Sequence, residues 1–147
     1  MSWINDEFNE TKRQDERRQI LQAQSARLWD ELLKLLRVQV EEIKTRAPNH
    51  YVTIQERDGG VEIRNGTLPS IAIFVVVNWA AESVRIEQAR AKDFFDPQRQ
   101  HPKIEHLTLV LTPEDKLYVR GPNEDMLWPE AICKHILTPL VSLILGK

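Results

Sequence analysis

Between Ser2 and about Arg46 the chain contains neither proline nor glycine, and most positions hold strong helix formers such as Gln, Glu, Arg, Leu, Lys and Ala. An uninterrupted run of that kind predicts one long helix. At 1.5 Å per residue, roughly 45 residues make a rod of about 67 Å, against a diameter of about 26 Å for a 100-residue domain. The chain has 147 residues in all, so the remainder is a single domain, too small to cover the rod from end to end. The segment therefore either breaks near residues 9–19 or packs in part against a second copy of the chain.

The second half of the segment carries an apolar stripe. Leu21, Leu28, Leu32, Leu35, Leu36 and Ile43 recur at three-, four- and seven-residue spacings, and Trp29, Leu33 and Val40 widen the stripe. Within it, Leu21, Leu28, Trp29, Leu32 and Leu36 are candidates for either the core or a self-association surface. Residues 9–19 carry almost nothing apolar, which isolates Trp3, Ile4 and Phe8 ahead of them. Residues 1–20 are thus expected to project or fray, and residues 21–147 to form one α+β domain that includes the helix to about residue 46. Pro48 ends the helical pattern, because it disfavours helix at Ala47.

After Pro48 the period changes from 3.6 to two. Tyr51 to Arg57 alternates, Asp58-Gly59-Gly60 supplies a turn, and Val61 and Ile63 return as the second arm of a hairpin. Ile71 to Val77 is apolar at both parities and reads as a central strand buried on both faces. A shorter strand follows through Val84 and Ile86. Residues 89–100 show no clear period. Ile104 to Thr112, a turn at Pro113 to Lys116, and Leu117 to Val119 form a second hairpin. From Trp128 to Leu145, Ala131, Ile132, His135, Ile136, Leu140, Leu143 and Ile144 recur at helical spacing. Pro129 suits the first turn of this helix, and Pro139 is expected to kink or divide it. The fold class that results is α+β: a long N-terminal helix, a mainly antiparallel sheet of about six strands, and a C-terminal helix packed on the sheet. This order of elements is similar to that of secretion-chaperone-like dimers, a likeness of architecture that rests on no motif.

Local signatures of catalysis are missing. There is no GxxxxGK[ST], GxGxxG, GxSxG or HExxH, and the adjacent pair Gly59-Gly60 is accounted for by the hairpin turn. One cysteine, Cys133, excludes an internal disulfide and a cysteine-rich zinc site. His101, Glu105 and His106 lie close in sequence, but on a strand Glu105 and His106 point to opposite faces, so no metal site is expected. Cys133 and His135 sit about 200° apart around a helix, which prevents a nucleophile and base pair. The carboxylate pairs Glu41-Glu42, Asp93 with Asp96, and Glu114-Asp115 read as solvated groups. No cofactor is expected, and an enzyme is the weaker reading.

Charge and hydropathy narrow the partners. Residues 1–46 hold nine basic and nine acidic side chains and the remainder carries the net charge of -2, so nothing concentrates nucleic-acid phosphate. No stretch approaches a membrane span, and the opening Asn5-Asp6-Glu7 is unlike a secretory signal, so a cytoplasmic protein is expected. The surplus apolar helix surface points to an interaction module, a homodimeric adaptor or chaperone-like protein, with Trp3, Ile4 and Phe8 as anchors for another protein. The alternative is a small apolar ligand held between the sheet and the closing helix by Phe74, Trp79, Phe94, Phe95 and Trp128.

Overall fold

Ser2 starts the first helix by accepting a hydrogen bond from the backbone N–H of Ile4 on its Oγ, at 3.1 Å. From there, in the computed structural model, which describes residues 2–92 and 101–147, helix α1 runs from Trp3–Arg46 without a break. Its 44 residues make a rod of about 66 Å. A break near residues 9–19 does not occur: those positions lack apolar groups, but they also lack any residue that interrupts a helix. Lys44 and Arg46 in the last turn suit the negative end of the helix dipole, and Ala47 ends it, its N–H bonded to Ile43 O at 2.8 Å.

Among the described residues seven strands follow: β1 (Val52–Arg57), β2 (Gly60–Asn65), β3 (Ser70–Asn78), β4 (Ser83–Ala91), β5 (Lys103–Leu111), β6 (Leu117–Arg120) and β7 (Met126–Leu127). Each pairs antiparallel with the next, so the sheet order equals the chain order, with β1 and β7 as its edges. The architecture is α+β, with one strand more than the sequence patterns indicate; β7 has two residues, too few to show a period. Helix α2 (Pro129–Ile144) closes the fold. Pro139 lies inside α2, which continues as one helix to Ile144 instead of dividing there.

Both helices pack on the same face of the sheet. Val52, Val61, Ile63, Ile71, Ile73, Val75, Val84, Leu107, Leu109 and Val119 from the strands meet Leu21, Leu32, Leu36 and Val40 of α1 and Ile132, Cys133, Ile136 and Leu140 of α2 in one buried cluster. Within β3, Ile71, Ile73 and Val75 are buried while Ala72, Phe74 and Val76 are half-buried on the other face. The expectation of a strand covered equally on both faces is therefore corrected. Two helices on one side make a two-layer fold, and among the described residues no helix covers the opposite face of the sheet.

Two loop features hold the sheet's first half. Asp58 and Gly59 have φ of 50° and 76°, the conformation of a two-residue hairpin loop whose twist matches the strands. Asn65, buried at the end of β2, accepts from Ile71 N on Oδ1 at 2.7 Å and donates from Nδ2 to Thr67 O and Pro69 O at 3.2 and 3.3 Å. One side chain thereby organises the β2–β3 connection.

Candidate functional site

The residues expected to act at the start of the chain are placed apart from the rest. Trp3, Ile4 and Phe8 are 75%, 46% and 72% exposed, and every residue from Ser2 to Glu16 is exposed. Ile4 and Phe8 stand one turn apart on the same side of α1, while Trp3 is about 100° around the axis from Ile4. The helix meets the body of the protein at Arg17. The guanidinium of Arg17 donates to Leu111 O at 3.3 Å and reaches Asp115 at 3.5 Å, and Arg18 lies over the ring of Trp79, 5.8 Å from its centroid. Two turns on, Gln24 brackets the β5–β6 turn, accepting from Leu117 N at 2.8 Å and donating to Asp115 O. Residues 3–16 thus extend about 21 Å beyond the first anchored side chain.

The apolar stripe of α1 belongs to the core of its own chain. Leu21, Leu32 and Leu36 are buried, and Leu28 and Trp29 are half-buried against the same cluster.

Of the aromatic set expected to hold a ligand, the described members Phe74, Trp79 and Trp128 are not brought together between the sheet and α2. Phe74 faces the side of the sheet away from the helices, Trp79 sits in the β3–β4 turn beneath Arg18, and Trp128 is exposed at the N-terminal end of α2. Phe94 and Phe95 lie outside the described residues, as do Asp93 and Asp96. Ile132, Ile136 and Leu140 occupy the layer between α2 and the sheet.

A cavity of about 600 Å³ does exist, on the open face of the sheet. Its floor is the cross-strand pair of Ala72 and Ala89, two small residues that leave a depression between larger neighbours. Arg57, Glu62, Arg64, Phe74, Glu87 and Arg90 stand around it. Arg57 stacks on Phe74 with its guanidinium 4.4 Å from the ring centroid and bonds Glu62 at 2.8 Å; the Glu62 hydrogen bond, with a second to Asp58, raises its pKa above the usual arginine value. Arg64 also pairs with Glu62, at 2.8 Å, and Arg85 pairs with Glu87. Each carboxylate of the rim is held by an arginine, so neither is left free as a general base. Sequence patterns missed this network, because it depends on the register of β1 to β4, which alternation alone does not specify.

The remaining candidates for chemistry separate as geometry requires. Glu105 faces α2 and meets His135 Nε2 at 2.6 Å, while His106 is exposed on the open face opposite Arg85. Cys133 is buried 3.8 Å from Leu32 O, and burial, followed by the charge of Glu130, pushes its thiol up to about 12. Among the described residues no group of three or more His, Cys, Asp or Glu is arranged to hold a metal ion, and no helix is long and apolar enough to cross a membrane. Comparisons with family models, with curated proteins and with solved structures find no match to this chain.

Proposed function

We propose that this chain is a non-enzymatic protein–protein interaction module, a homodimeric adaptor or chaperone-like protein that presents the start of α1 to another protein. The observation that carries this reading is the exposed apolar group Trp3, Ile4 and Phe8 on a helix that has left the body of the domain. Large apolar side chains on a projecting helix cost free energy in water and are the typical anchors of helix-in-groove recognition. The intervening surface from Asn9 to Glu16 is polar, which keeps the anchors distinct from the core. A cytoplasmic location is part of the same reading.

Native mass spectrometry of the full chain tests the homodimer and ligand parts together. A species of twice the 17.2 kDa chain mass without adduct supports the reading. A single chain with a reproducible small-molecule mass overturns it in favour of a ligand-binding protein. The partner site is tested by affinity capture with the full chain beside a Trp3→Glu/Phe8→Glu variant. Proteins retained by the first and lost by the second support the anchors, and identical retention removes them.

A further inference from the structure

The two edges of the sheet differ. Strand β7 has two residues and runs directly into α2 through Trp128 and Pro129, so it offers almost no free ladder. Strand β1 has six residues, contains no proline, and pairs one-to-one with β2 from Val52↔Asn65 to Arg57↔Gly60 without a bulge. Edges of that kind are normally shielded in natural sheets, because their unpaired N–H and C=O groups recruit another strand. Among the described residues no strand pairs with the outer side of β1, and its charged residues, Glu56 and Arg57, lie at the hairpin end.

The hairpin determines which groups are free. Arg57 and Gly60 flank the two-residue loop and exchange both of their bonds, so Arg57, Gln55 and Thr53 point their backbone groups at β2. The bond from Gly66 N to Tyr51 O, at 3.2 Å, continues the same parity. Val52, Ile54 and Glu56 consequently direct their N–H and C=O groups outward, where no described residue bonds them.

We infer that β1 is the homodimer interface and that its occupant is β1 of a second copy, antiparallel and centred on Ile54. This rests on the homodimeric reading above and names its surface. In the register that places Ile54 opposite Ile54, Val52 faces Glu56 and Thr53 faces Gln55, so all three outward residues of each strand are used and about six interstrand bonds form. A shift of one pleat, centred on Gln55, leaves Val52 unpaired, and centring on Glu56 sets two like charges opposite one another. The pairing sets no acidic residue opposite an acidic one and no basic residue opposite a basic one. It is also closed. Joining two β1 edges makes one continuous sheet whose outer strands are both β7, too short to recruit further copies, so a two-fold dimer and not a fibre results.

The test is the association state of the full-length protein over a dilution series, by light scattering and native mass spectrometry, for the wild type and three variants. Ile54→Pro removes the central outward N–H and leaves the β1–β2 ladder intact, since proline is tolerated where its missing N–H faces solvent. It is expected to weaken dimerisation at least tenfold with the circular dichroism spectrum unchanged. Thr53→Glu/Gln55→Lys places opposite charges across the interface and complements Arg64 and Glu62 of β2 within the chain, so it is expected to stay dimeric. Thr53→Lys/Gln55→Lys places like charges across the same positions and is expected to dissociate, which decides the matter should the proline variant fail to fold. Amide exchange at Val52, Ile54 and Glu56 in the wild type should slow as concentration rises.

A wild type that remains a single chain at all concentrations overturns both the interface and the homodimeric part of the proposed function. A wild-type dimer that survives Ile54→Pro and both charge variants overturns β1 as its interface and leaves the homodimer itself standing. Loss of the dimer only on Trp3→Glu/Phe8→Glu moves self-association to the projecting helix and likewise overturns β1.

Discussion

Gln24 on α1 and Leu117 on β6 are joined by a 2.8 Å hydrogen bond from the backbone N–H of Leu117 to Gln24 Oε1, ninety-three residues apart in sequence. The same amide group donates from Nε2 to Asp115 O, so a single side chain satisfies both a donor and an acceptor of the β5–β6 turn. This clamp sets where the long helix meets the sheet. Replacing Gln24 by Ala leaves two half-buried backbone groups without their partners, and a loss of roughly 1–3 kcal/mol is expected in urea unfolding. A loss below the error of that measurement shows that water replaces the clamp without cost.

Asn65 is the corresponding device at the β2–β3 connection. It is buried and makes three hydrogen bonds, so Asn65→Leu strands the N–H of Ile71 and two carbonyls inside the protein. The expected cost is about 2–4 kcal/mol, seen as a lowered denaturation midpoint with an unchanged m-value. Asn65→Asp keeps the acceptor for Ile71 and should recover part of that loss.

Gly59 and Gly60 are neighbours with opposite requirements. Gly60 approaches β3 so closely that a Cβ there would lie 2.3 Å from Val75 O and 2.8 Å from Phe74 Cζ, one of them backbone that cannot move aside. Gly60→Ala should therefore separate β2 from β3 locally and cost about 2 kcal/mol or more. Gly59 has open space around it and needs only a positive φ, so Gly59→Asn should cost a few tenths of that. Equal thermal shifts in the two variants contradict this assignment.

The two halves of α1 should respond oppositely to truncation. Leu32→Ala empties a fully buried position and is expected to cost about 2–5 kcal/mol. Phe8→Ala removes a larger side chain from an exposed site and should change stability by less than about 0.5 kcal/mol. A marked destabilisation by Phe8→Ala would show that the start of α1 folds back onto the protein in solution.

Burial raises the thiol of Cys133 from its ordinary value of 9.0 to about 12, because the thiolate loses its hydration in the core. Two outcomes are expected. The native protein should resist thiol reagents at neutral pH and react only on unfolding. Stability should also fall as pH rises: between about 9 and 12 the unfolded chain has released the thiol proton and the native chain has not, so the unfolded state binds fewer protons. Below pH 9 this group makes no contribution to pH dependence. Rapid labelling of the folded protein at pH 7 would place Cys133 at the surface.

The sequence by itself determined the elements that local chemistry governs. A proline-free and glycine-free run specifies α1, alternation specifies the two hairpins, and Asp58-Gly59 specifies a loop that needs two positive φ values. It also determined that Trp3, Ile4 and Phe8 stand apart from the core stripe, because a polar stretch of more than three helical turns separates them. Tertiary structure decided everything that depends on register and layering. Only the placement of both helices on one face converts Ile71 to Val77 from a doubly buried strand into one with an open side, and exposes the cavity over Ala72 and Ala89. Only the pairing order makes β1 a six-residue edge and β7 a two-residue one. The physical reason is one of range. Helix and turn formation depend on residues within four positions of each other, whereas an edge, a layer and an ion-pair network depend on which distant segments meet, and a shift of one residue in a strand's register would reverse its faces.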